Sequence, residues 1–371
     1  MATTTSSPKE IKLSPKKITA ALKSPEQCAK AINLVYISDK QDGITRIKKG
    51  KTFSYLIGNK KITDKITLER IQKLVIPPAW TQVWICPKEN GHLQATGLDA
   101  LKRKQYRYHN LWNSFRNQTK FYRLSDFGKQ IPKIRKQVKK DLAKTGLPLE
   151  KVLATVISLM EQTSIRIGNN DYEKRYGSYG LTTLKDKHAK IAGDKINFIF
   201  KGKKGVHHNI TLKNKKLARI VKQCRDIPGK ELFQYYDEDG NHKSIDSGMV
   251  NDYLRTITGG DFTTKDFRTW IGSVKTICEF RALYAEALEI ETKTHTKQNL
   301  LSILDAVAAH LGNTRSVCKK YYIHPSIIRL CEDASLHHHL LQSSPAKHIN
   351  KLMLSAEEKL LLHIIEQQAV I

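Results

Sequence analysis

Two adjacent tyrosines, Tyr321 and Tyr322, lie among lysines in the stretch VCKKYYIHPS, residues 317 to 326. A phenol surrounded by cations either contacts a phosphate or, once its proton has left, acts as a nucleophile. Adjacent residues of a helix point about 100° apart, so only one phenol of the pair can face a given phosphate. The pattern therefore raises two questions: which tyrosine reacts, and with which substrate.

Four further residues have side chains that suit one chemistry: Arg166 in SIRIGNN, Lys203 in FKGKKGVHH, Arg268 in KDFRTW and Asn313 in LGNT. Each alone has an ordinary structural interpretation, such as a solvated arginine or a hairpin lysine. Together with a tyrosine they fit transfer of a DNA phosphodiester to the phenol. Two arginines and an amide can bind the nonbridging oxygens, and a lysine can protonate the leaving 5′ hydroxyl. Protein cations would do the work of a metal ion, so we expect no metal and no cofactor.

The charge of the chain indicates a polyanionic partner. The 371 residues carry a net charge of +29, and the pI is about 9.8. The excess is spread over most of the sequence, which favours nucleic acid. An anionic membrane surface is the alternative, but no basic amphipathic helix with a wide apolar face is evident. The sequence contains no uncharged apolar run of about 18 residues, so no membrane span is predicted.

The cysteines and the N-terminus indicate the compartment. The N-terminal residues lack the apolar segment of a secretory signal. None of the six cysteines forms a CxxC pair, so a disulfide framework or a zinc site is not expected. We therefore expect the protein to lie in the cytoplasm, associated with the nucleoid. All six cysteines are expected to be free thiols: Cys28, Cys86, Cys224, Cys278, Cys318 and Cys331.

The pattern of residues predicts two differently built regions after a disordered basic arm at 1–25. Short β-branched and aromatic runs between about 34 and 97 predict a small β-rich domain with a helix that ends at Pro77 and Pro78. From about 101 the chain is predicted to be basic and helical, with 14 Lys or Arg against 2 Asp up to residue 145.

The later part of the sequence is predicted to be mainly helical, with one set of strands. GLTTLKDKHAKI and INFIFKGKKGVHHNITL are predicted as strands, and KGKKG as a hairpin tip with three lysines. After about residue 214 helices predominate. Ser355 and Glu358 have the spacing of a capping box at the start of the last helix.

Seven stretches, in order, resemble type IB DNA topoisomerases of the small poxvirus and bacterial kind. The resemblance covers roughly residues 30 to 335 and rests on these segments: IPPAW, ATGLDALKRKQYRYH, SIRIGN, YGLTTLKDKH, FKGKKGVHH, KDFRTW and LGNT followed by VCKK and YIHP. It implies an α+β fold of two domains that form a C-shaped clamp around duplex DNA. The expected parts are a β-rich domain at 26–112, a mainly helical catalytic domain with a β-hairpin at 113–335, and a helical extension at 336–371.

The resemblance also implies roles for the site residues. Arg166 and Arg268 match the phosphate-binding arginines, Lys203 the general acid, and Tyr322 the nucleophile, because the family's tyrosine directly precedes the IHP-like segment. Tyr321 is then expected to pack or to contact DNA. The implied reaction cuts one strand through a 3′-phosphotyrosyl bond, lets supercoils of either sign relax, and reseals the strand without ATP. One chain is expected to suffice.

Several other residues match DNA contacts of the family. Gln105, Tyr106 and Tyr108 match residues that face the major groove, with a basic helix that touches only the backbone as the alternative. Phosphate or DNA contacts are also implied for Arg103, Lys104, Arg107 and Lys187.

Three features fall outside the pattern. Poxvirus members have histidine where this chain has Asn313, which can donate a hydrogen bond but carries no charge; His310 is a possible substitute. LHHHL at 336–340 is interpreted as surface, because consecutive histidines on one element do not converge on one ion. The segment from about 340 either packs on the catalytic domain or joins a partner.

Two other functions remain open on sequence grounds. A tyrosine recombinase shares the two arginines, the lysine and the tyrosine, but usually has a histidine where this chain has Lys265. A non-catalytic architectural DNA-binding protein fits the charge but leaves the ordered motifs unexplained.

Overall fold

A computed structural model describes most of the chain, in which two compact units are distinguished: Met1–Tyr122 and Arg123–Ile371. The described residues are 21, 24–50, 52–100, 102, 104–285, 293–342 and 350–368. Almost all of the predicted basic arm, residues 1–25, lies outside them. Helix and sheet are both present, as expected for an α+β protein.

The N-terminal unit contains a six-stranded sheet in which every neighbouring pair is antiparallel. The strand order is β3-β2-β1-β4-β5-β6. The strands are β1 (Ile44–Lys49), β2 (Thr52–Ile57), β3 (Lys60–Lys61), β4 (Thr81–Ile85), β5 (Leu93–Leu98) and β6 (Lys104–Tyr108). Strand β6 is therefore an edge strand with one hydrogen-bonded neighbour.

Two short helices accompany this sheet, α1 (Pro25–Ala31) and α2 (Lys65–Lys73). Helix α2 begins at Asp64, whose carboxylate accepts from the backbone N–H groups of the first turn, as an N-cap should. It ends before Pro77, as predicted. Ile71 of α2 packs with buried residues of the sheet in one apolar cluster, which holds the helix on the sheet.

The prediction that the chain becomes helical near residue 101 is wrong for residues 104–108. These residues form strand β6, paired with β5, and the long helix α3 begins at Asn110 and runs to Asp141. The basic-helix interpretation of Gln105, Tyr106 and Tyr108 fails with it. Two of these five residues are tyrosines, which favour strands, and the segment pairs with β5, so pairing outweighs the local charge pattern.

The C-terminal unit is built around helix α4 (Leu149–Thr163), whose side chains are buried on most faces. Two helices, Lys215–Arg225 and Ser247–Thr258, and two strands, His207–Lys213 and Gln234–Tyr236, pack against it. The helices after α3 are α4 (Leu149–Thr163), α5 (Asn170–Tyr176), α6 (Lys215–Arg225), α7 (Ser247–Thr258), α8 (Thr264–Ala285), α9 (Lys293–Leu311), α10 (Arg315–Tyr321), α11 (Pro325–Glu332), α12 (Leu336–Gln342) and α13 (Ala356–Gln368).

A three-stranded antiparallel sheet, in the order β7-β8-β9, carries the predicted lysine hairpin. Its strands are β7 (Ala189–Ala192), β8 (Lys195–Lys201) and β9 (His207–Lys213), and a small hairpin follows from β10 (Gln234–Tyr236) and β11 (His242–Ser244). Lys203–Gly205 form the turn between β8 and β9, so the prediction of a hairpin tip at KGKKG is confirmed.

The strand predicted over GLTTLKDKHAKI is wrong for most of its length. Leu181–Thr183 and Asp186–His188 are single 3₁₀ turns, and only the last residues enter β7. The cause is a set of backbone hydrogen bonds to another segment of the chain. The N–H groups of Leu181 and Thr182 donate to the carbonyls of Arg166 and Ile167, so this segment binds the Arg166 loop instead of extending the sheet.

The C-terminal extension packs on the C-terminal unit. Helix α13 contacts α8 and α11. Its predicted capping box is confirmed: the Glu358 N–H donates to Ser355 Oγ, and the Ser355 N–H donates to Glu358 Oε2 at 2.9 Å. Of the two possibilities for this segment, packing on the same unit is the one observed for residues 350–368.

Across the described parts of the chain, no helix combines the length and apolarity needed to cross a membrane. The six cysteines are free thiols, five of them buried and Cys278 half-buried. In the LHHHL stretch, now part of α12, His338 is exposed and His337 lies beside Tyr284.

A buried hydrogen bond between Tyr253 and Asp141 offers a test of how the unit is held together. Tyr253 Oη donates to Asp141 Oδ2 at 2.7 Å, and burial together with this carboxylate raises the pKa of Tyr253. Tyr253→Phe should lower the free energy of unfolding by roughly 1–3 kcal/mol, because a buried carboxylate loses a donor. Urea denaturation measures this loss. The control is Tyr236→Phe, at a 43% exposed position; equal effects of the two changes would contradict the assignment.

Candidate active site

Four of the five predicted catalytic residues line one cavity of about 220 Å³ in the C-terminal unit: Arg166, Lys203, Arg268 and Tyr322. The fifth, Asn313, accepts a short hydrogen bond from Arg166 through its Oδ1. The sequence separates these residues by up to 156 positions, and the fold brings them together. The cavity is thus lined by cations and a phenol, and an amide is hydrogen-bonded to one of the cations.

Arg166 is placed by the end of α4 and by the turn that replaces the predicted strand. Ser164 ends α4 in the left-handed region, at φ 56°, which redirects the chain toward the cavity. Gly180 lies so close that a Cβ there would be 2.6 Å from the Arg166 carbonyl oxygen. Only glycine permits this approach, and it brings the Leu181 and Thr182 N–H groups into reach of the loop.

Arg268 is a buried residue of α8, with 5% of its surface exposed. Its guanidinium donates to the Leu311 carbonyl at 2.6 Å and, through a shorter bond, to the Ser164 carbonyl. Burial, and then the nearby Arg166 charge, lower the pKa of Arg268 to about 10. Because this value is still far above neutral pH, Arg268 keeps its charge.

Both arginines use the C-terminal end of α9. The last carbonyls of a helix have no partner within the helix and carry partial negative charge. The Leu311 carbonyl accepts from Arg268, and the Gly312 carbonyl accepts from Arg166 at 3.2 Å. One helix end therefore orients two guanidinium groups whose like charges repel each other.

Two buried N–H groups of the site have no partner among the described residues, namely Arg268 Nε and Asn313 Nδ2. An unsatisfied buried donor costs roughly 1–3 kcal/mol, so such groups in a cationic cavity indicate a ligand that accepts hydrogen bonds. A phosphate with its nonbridging oxygens supplies such acceptors. Asn313 is oriented for this role, because Arg166 occupies its oxygen and the amide nitrogen remains for the ligand.

Tyr322 lies directly after α10, and its ring centroid is 5.2 Å from the Arg268 guanidinium carbon. Its backbone approaches α8 at Gly272, where a Cβ would be 2.4 Å from the Tyr322 carbonyl oxygen. Tyr321, by contrast, does not line the cavity and has Lys320 Nζ 5.4 Å from its ring centroid. Of the two tyrosines, Tyr322 is therefore the one that lies toward the cations of the cavity.

Lys203 reaches the cavity from the β8–β9 turn, with its Nζ 5.4 Å from the ring centroid of Tyr172. The residue itself is exposed. Lys204, the next residue, has φ 62°, which makes the tip a tight turn. A lysine at such a tip can approach a leaving group at the cavity mouth without being desolvated first.

His208 on β9 is a site residue that sequence reasoning missed. Its imidazole stacks on Phe200 with centroids 4.8 Å apart. The ring also fills the space beside Gly202 and Gly312, where added Cβ atoms would lie 2.6 and 2.5 Å from it. Burial, then the charges of the two arginines, lower the pKa of His208. The signal was the alternation of β9, which turns His208, Ile210 and Leu212 to one face.

His310 contacts the site indirectly. Its Nε2 lies 3.0 Å from Ser164 Oγ, and the carbonyl of the same serine accepts from Arg268. His310 does not line the cavity. Whether it assists Asn313 in the reaction stays a prediction, while its position supports the turn behind Arg268.

The predicted DNA contacts of the N-terminal unit lie on or beside β6. Tyr106 and Tyr108 are exposed and stack with centroids 5.9 Å apart. The other predicted side chains have protein partners: Lys104 Nζ pairs with Asp39 at 2.5 Å, Gln105 donates to Asp99, and Arg107 donates to the Val75 carbonyl. Arg103 lies outside the described residues. Lys187, in the C-terminal unit, is exposed on the second 3₁₀ turn.

The chain is similar to known DNA topoisomerases over most of its length. Residues 104–340 match the family described as eukaryotic DNA topoisomerase I, catalytic core, and residues 52–99 match the bacterial DNA topoisomerase IB N-terminal domain. DNA topoisomerase 1B of Acanthamoeba polyphaga mimivirus is 36% identical over 295 residues, which span 76% of this chain and 85% of the relative. DNA topoisomerase 1B of Vaccinia virus (strain Copenhagen) is 26% identical over 73% of this chain and 83% of its own length.

The contact between Gly312 and His208 can be tested with a matched pair of glycines. Gly312 (φ +58°) and Gly146 (φ +65°) share a left-handed backbone, but a Cβ at Gly146 meets no atom within 4 Å. Each change to alanine should cost about 1–2 kcal/mol of backbone strain. Gly312→Ala should cost about 1–3 kcal/mol more, because its methyl collides with the imidazole. Urea unfolding compares the two, and equal losses would contradict a packed contact.

Proposed function

The chain belongs to the type IB DNA topoisomerase family, and from that premise we propose which of its residues cut and rejoin the strand. The enzyme is a DNA topoisomerase, an isomerase that breaks and reseals one DNA strand. Neither a tyrosine recombinase nor a passive architectural protein is favoured by the comparisons. The observation that carries the assignment of roles is a pair of buried donors, Arg268 Nε and Asn313 Nδ2, that have no partner in the described part of the chain. Arg268 lines the cavity together with Tyr322 and Lys203, and Asn313 is hydrogen-bonded to Arg166 of the same cavity.

In the proposed cleavage step, Tyr322 Oη attacks the scissile phosphorus and the bond from phosphorus to the 5′ oxygen breaks. The phenolic proton leaves to water in the open cavity. Lys203 Nζ gives a proton to the leaving 5′ oxygen. The product is a 3′-phosphotyrosyl ester and a free 5′ hydroxyl. Rejoining is the reverse, and because the ester retains the energy of the broken bond, no ATP is needed.

Arg166, Arg268 and Asn313 are proposed to bind the nonbridging oxygens, where negative charge grows during the attack. Donors fixed before the reaction stabilise that charge most effectively. The Leu311 and Gly312 carbonyls already fix the guanidinium groups, which supports such preorganisation. Asn313 is proposed to contribute a hydrogen bond alone, since an amide transfers no proton at neutral pH.

The substrate is proposed to be supercoiled duplex DNA, held by a C-shaped clamp that both units form. In the N-terminal unit, the exposed Tyr106 and Tyr108 of β6 are proposed to contact the DNA major groove. Gln105 is proposed to give up its hydrogen bond to Asp99 and to contact base edges instead. Phosphate contacts are proposed for Arg103, Lys104 and Arg107. The protein is proposed to act in the cytoplasm, at the nucleoid, and its free cysteines support that location. It is also proposed to act as a monomer, because one chain supplies all five proposed catalytic groups.

The assignment of the nucleophile predicts different results for the two neighbouring tyrosines. Tyr322→Phe should abolish relaxation of a supercoiled plasmid, because the attacking oxygen is gone, while DNA binding persists. Tyr321→Phe should relax the plasmid at nearly the wild-type rate. The assay runs with EDTA and without ATP, and denaturant traps the covalent complex. Relaxation by Tyr322→Phe, or its loss in Tyr321→Phe, would reverse the assignment.

The proposed phosphate contact of Lys187 predicts a change in salt dependence. DNA affinity should fall steeply with salt, and Lys187→Ala should reduce the slope of log K against log salt by about 1, because one fewer counterion is released. The control is Lys243→Ala, since Lys243 Nζ already pairs with Asp237 at 2.8 Å. Affinity is measured in the Tyr322→Phe background. An unchanged slope for Lys187→Ala would remove this residue from the interface.

A further inference from the structure

A buried carboxylate in the C-terminal extension has every hydrogen-bonding position occupied. Glu358 of α13 is 6% exposed. Its Oε1 accepts from Arg135 Nη2 at 2.7 Å and from Trp270 Nε1 at 3.1 Å. Its Oε2 accepts from Arg135 Nη1 and from the Ser355 N–H, both at 2.9 Å. Full satisfaction of this kind is what a buried charge needs to be tolerated.

Arg135 extends the contacts of Glu358 to two more segments. Its Nε donates to Glu161 Oε1 at 2.8 Å, and its Nη1 donates to the Met353 carbonyl at 2.7 Å. Glu161 belongs to the last turn of α4, five residues before Arg166. Since the guanidinium is planar and rigid, it fixes the position of α4 relative to α13.

Trp270 links the same carboxylate to the helix that bears Arg268. The two residues are two positions apart on α8, so their side chains point about 200° apart. Arg268 faces the cavity, and Trp270 faces the extension. The indole also packs on Gly128 of α3, where a Cβ would lie 2.4 Å from the ring. Trp270 is 2% exposed, so α8 has little freedom to turn or slide.

We propose that Glu358 is a positioning residue for the strand-cutting reaction, acting through Arg135 and Trp270 on the segments that carry Arg166 and Arg268. The inference rests on the proposed function of those arginines. Arg268 donates to Ser164, one residue after α4, so a shift of α4 or α8 would change the angle between the two guanidinium groups. Removing the carboxylate should slow cleavage and leave DNA affinity unchanged.

The primary test compares Glu358→Gln with Glu366→Gln on the same helix. Glu366 pairs with Lys129 at 2.7 Å at the surface and serves as the matched control. Single-turnover cleavage of a duplex oligonucleotide is measured at saturating enzyme, and affinity is measured in the Tyr322→Phe background. We expect cleavage to slow about tenfold or more in Glu358→Gln, with less than a twofold change in affinity. Glu366→Gln should stay within twofold in both.

A double variant separates positioning from a general loss of stability. If Glu358 acts through Arg268, then Arg268→Lys combined with Glu358→Gln should cleave about as slowly as Arg268→Lys alone, because coupled residues are not additive. Losses that multiply both here and in the corresponding double variant with Arg166→Lys would overturn the proposal. So would a wild-type cleavage rate in Glu358→Gln, or an effect confined to DNA affinity.

A milder change covers the case in which Glu358→Gln does not fold. Trp270→Phe removes one donor to the carboxylate and keeps an aromatic ring, and it should also slow cleavage without changing affinity. An unchanged rate in folded Trp270→Phe would overturn the proposal. Failure of the proposed function is seen separately: it would appear as cleavage by Tyr322→Phe, whatever the behaviour of the Glu358 variants.

Discussion

The site depends on the contact between two like-charged guanidinium groups and the end of helix α9. Arg166 and Arg268 repel each other, and burial makes the repulsion stronger because the local dielectric constant is low. The carbonyls of Leu311 and Gly312 offset it by accepting hydrogen bonds from both. Ser164 adds a third carbonyl through its left-handed conformation. The hydrogen bonds of the two cations therefore connect α4, α8 and α9 with one another.

Other parts of the C-terminal unit follow from this requirement. The first 3₁₀ turn after Gly180 donates to the backbone of the Arg166 loop, and His208 fills the space between Gly202 of the lysine hairpin and Gly312. The tyrosine segment lies against α8, where Gly272 leaves room for it and Ser273 Oγ accepts from the His324 N–H at 2.9 Å. The phenol and one arginine thus share a supporting helix, so their separation varies little even if the surrounding loops move.

Much of this arrangement could be predicted from the sequence, because it depends on local signals or on ordered motifs. The lysine hairpin, the end of α2 before Pro77 and the capping box at Ser355 each follow from a few adjacent residues. The five proposed catalytic residues follow from side-chain chemistry and family resemblance, and their roles stay a prediction. The failures have a different origin. Strand β6 and the turn after Gly180 depend on backbone hydrogen bonds to another segment of the chain, and propensity carries no information about such bonds.

The same reason applies to the C-terminal extension, because Arg135, Glu161 and Glu358 are too far apart in the sequence for the pattern to predict their contact.

Trp270 has a consequence for spectroscopy. The chain has four tryptophans, and Trp270 is the one that belongs to residues 123–371. It is buried, donates to a carboxylate, and lies two residues from Arg268. With Trp80, Trp84 and Trp112 replaced by phenylalanine, the remaining indole emission would come from the side of α8 that faces away from the candidate active site. Its intensity and wavelength would then follow the arrangement of α8 in real time, without any attached dye.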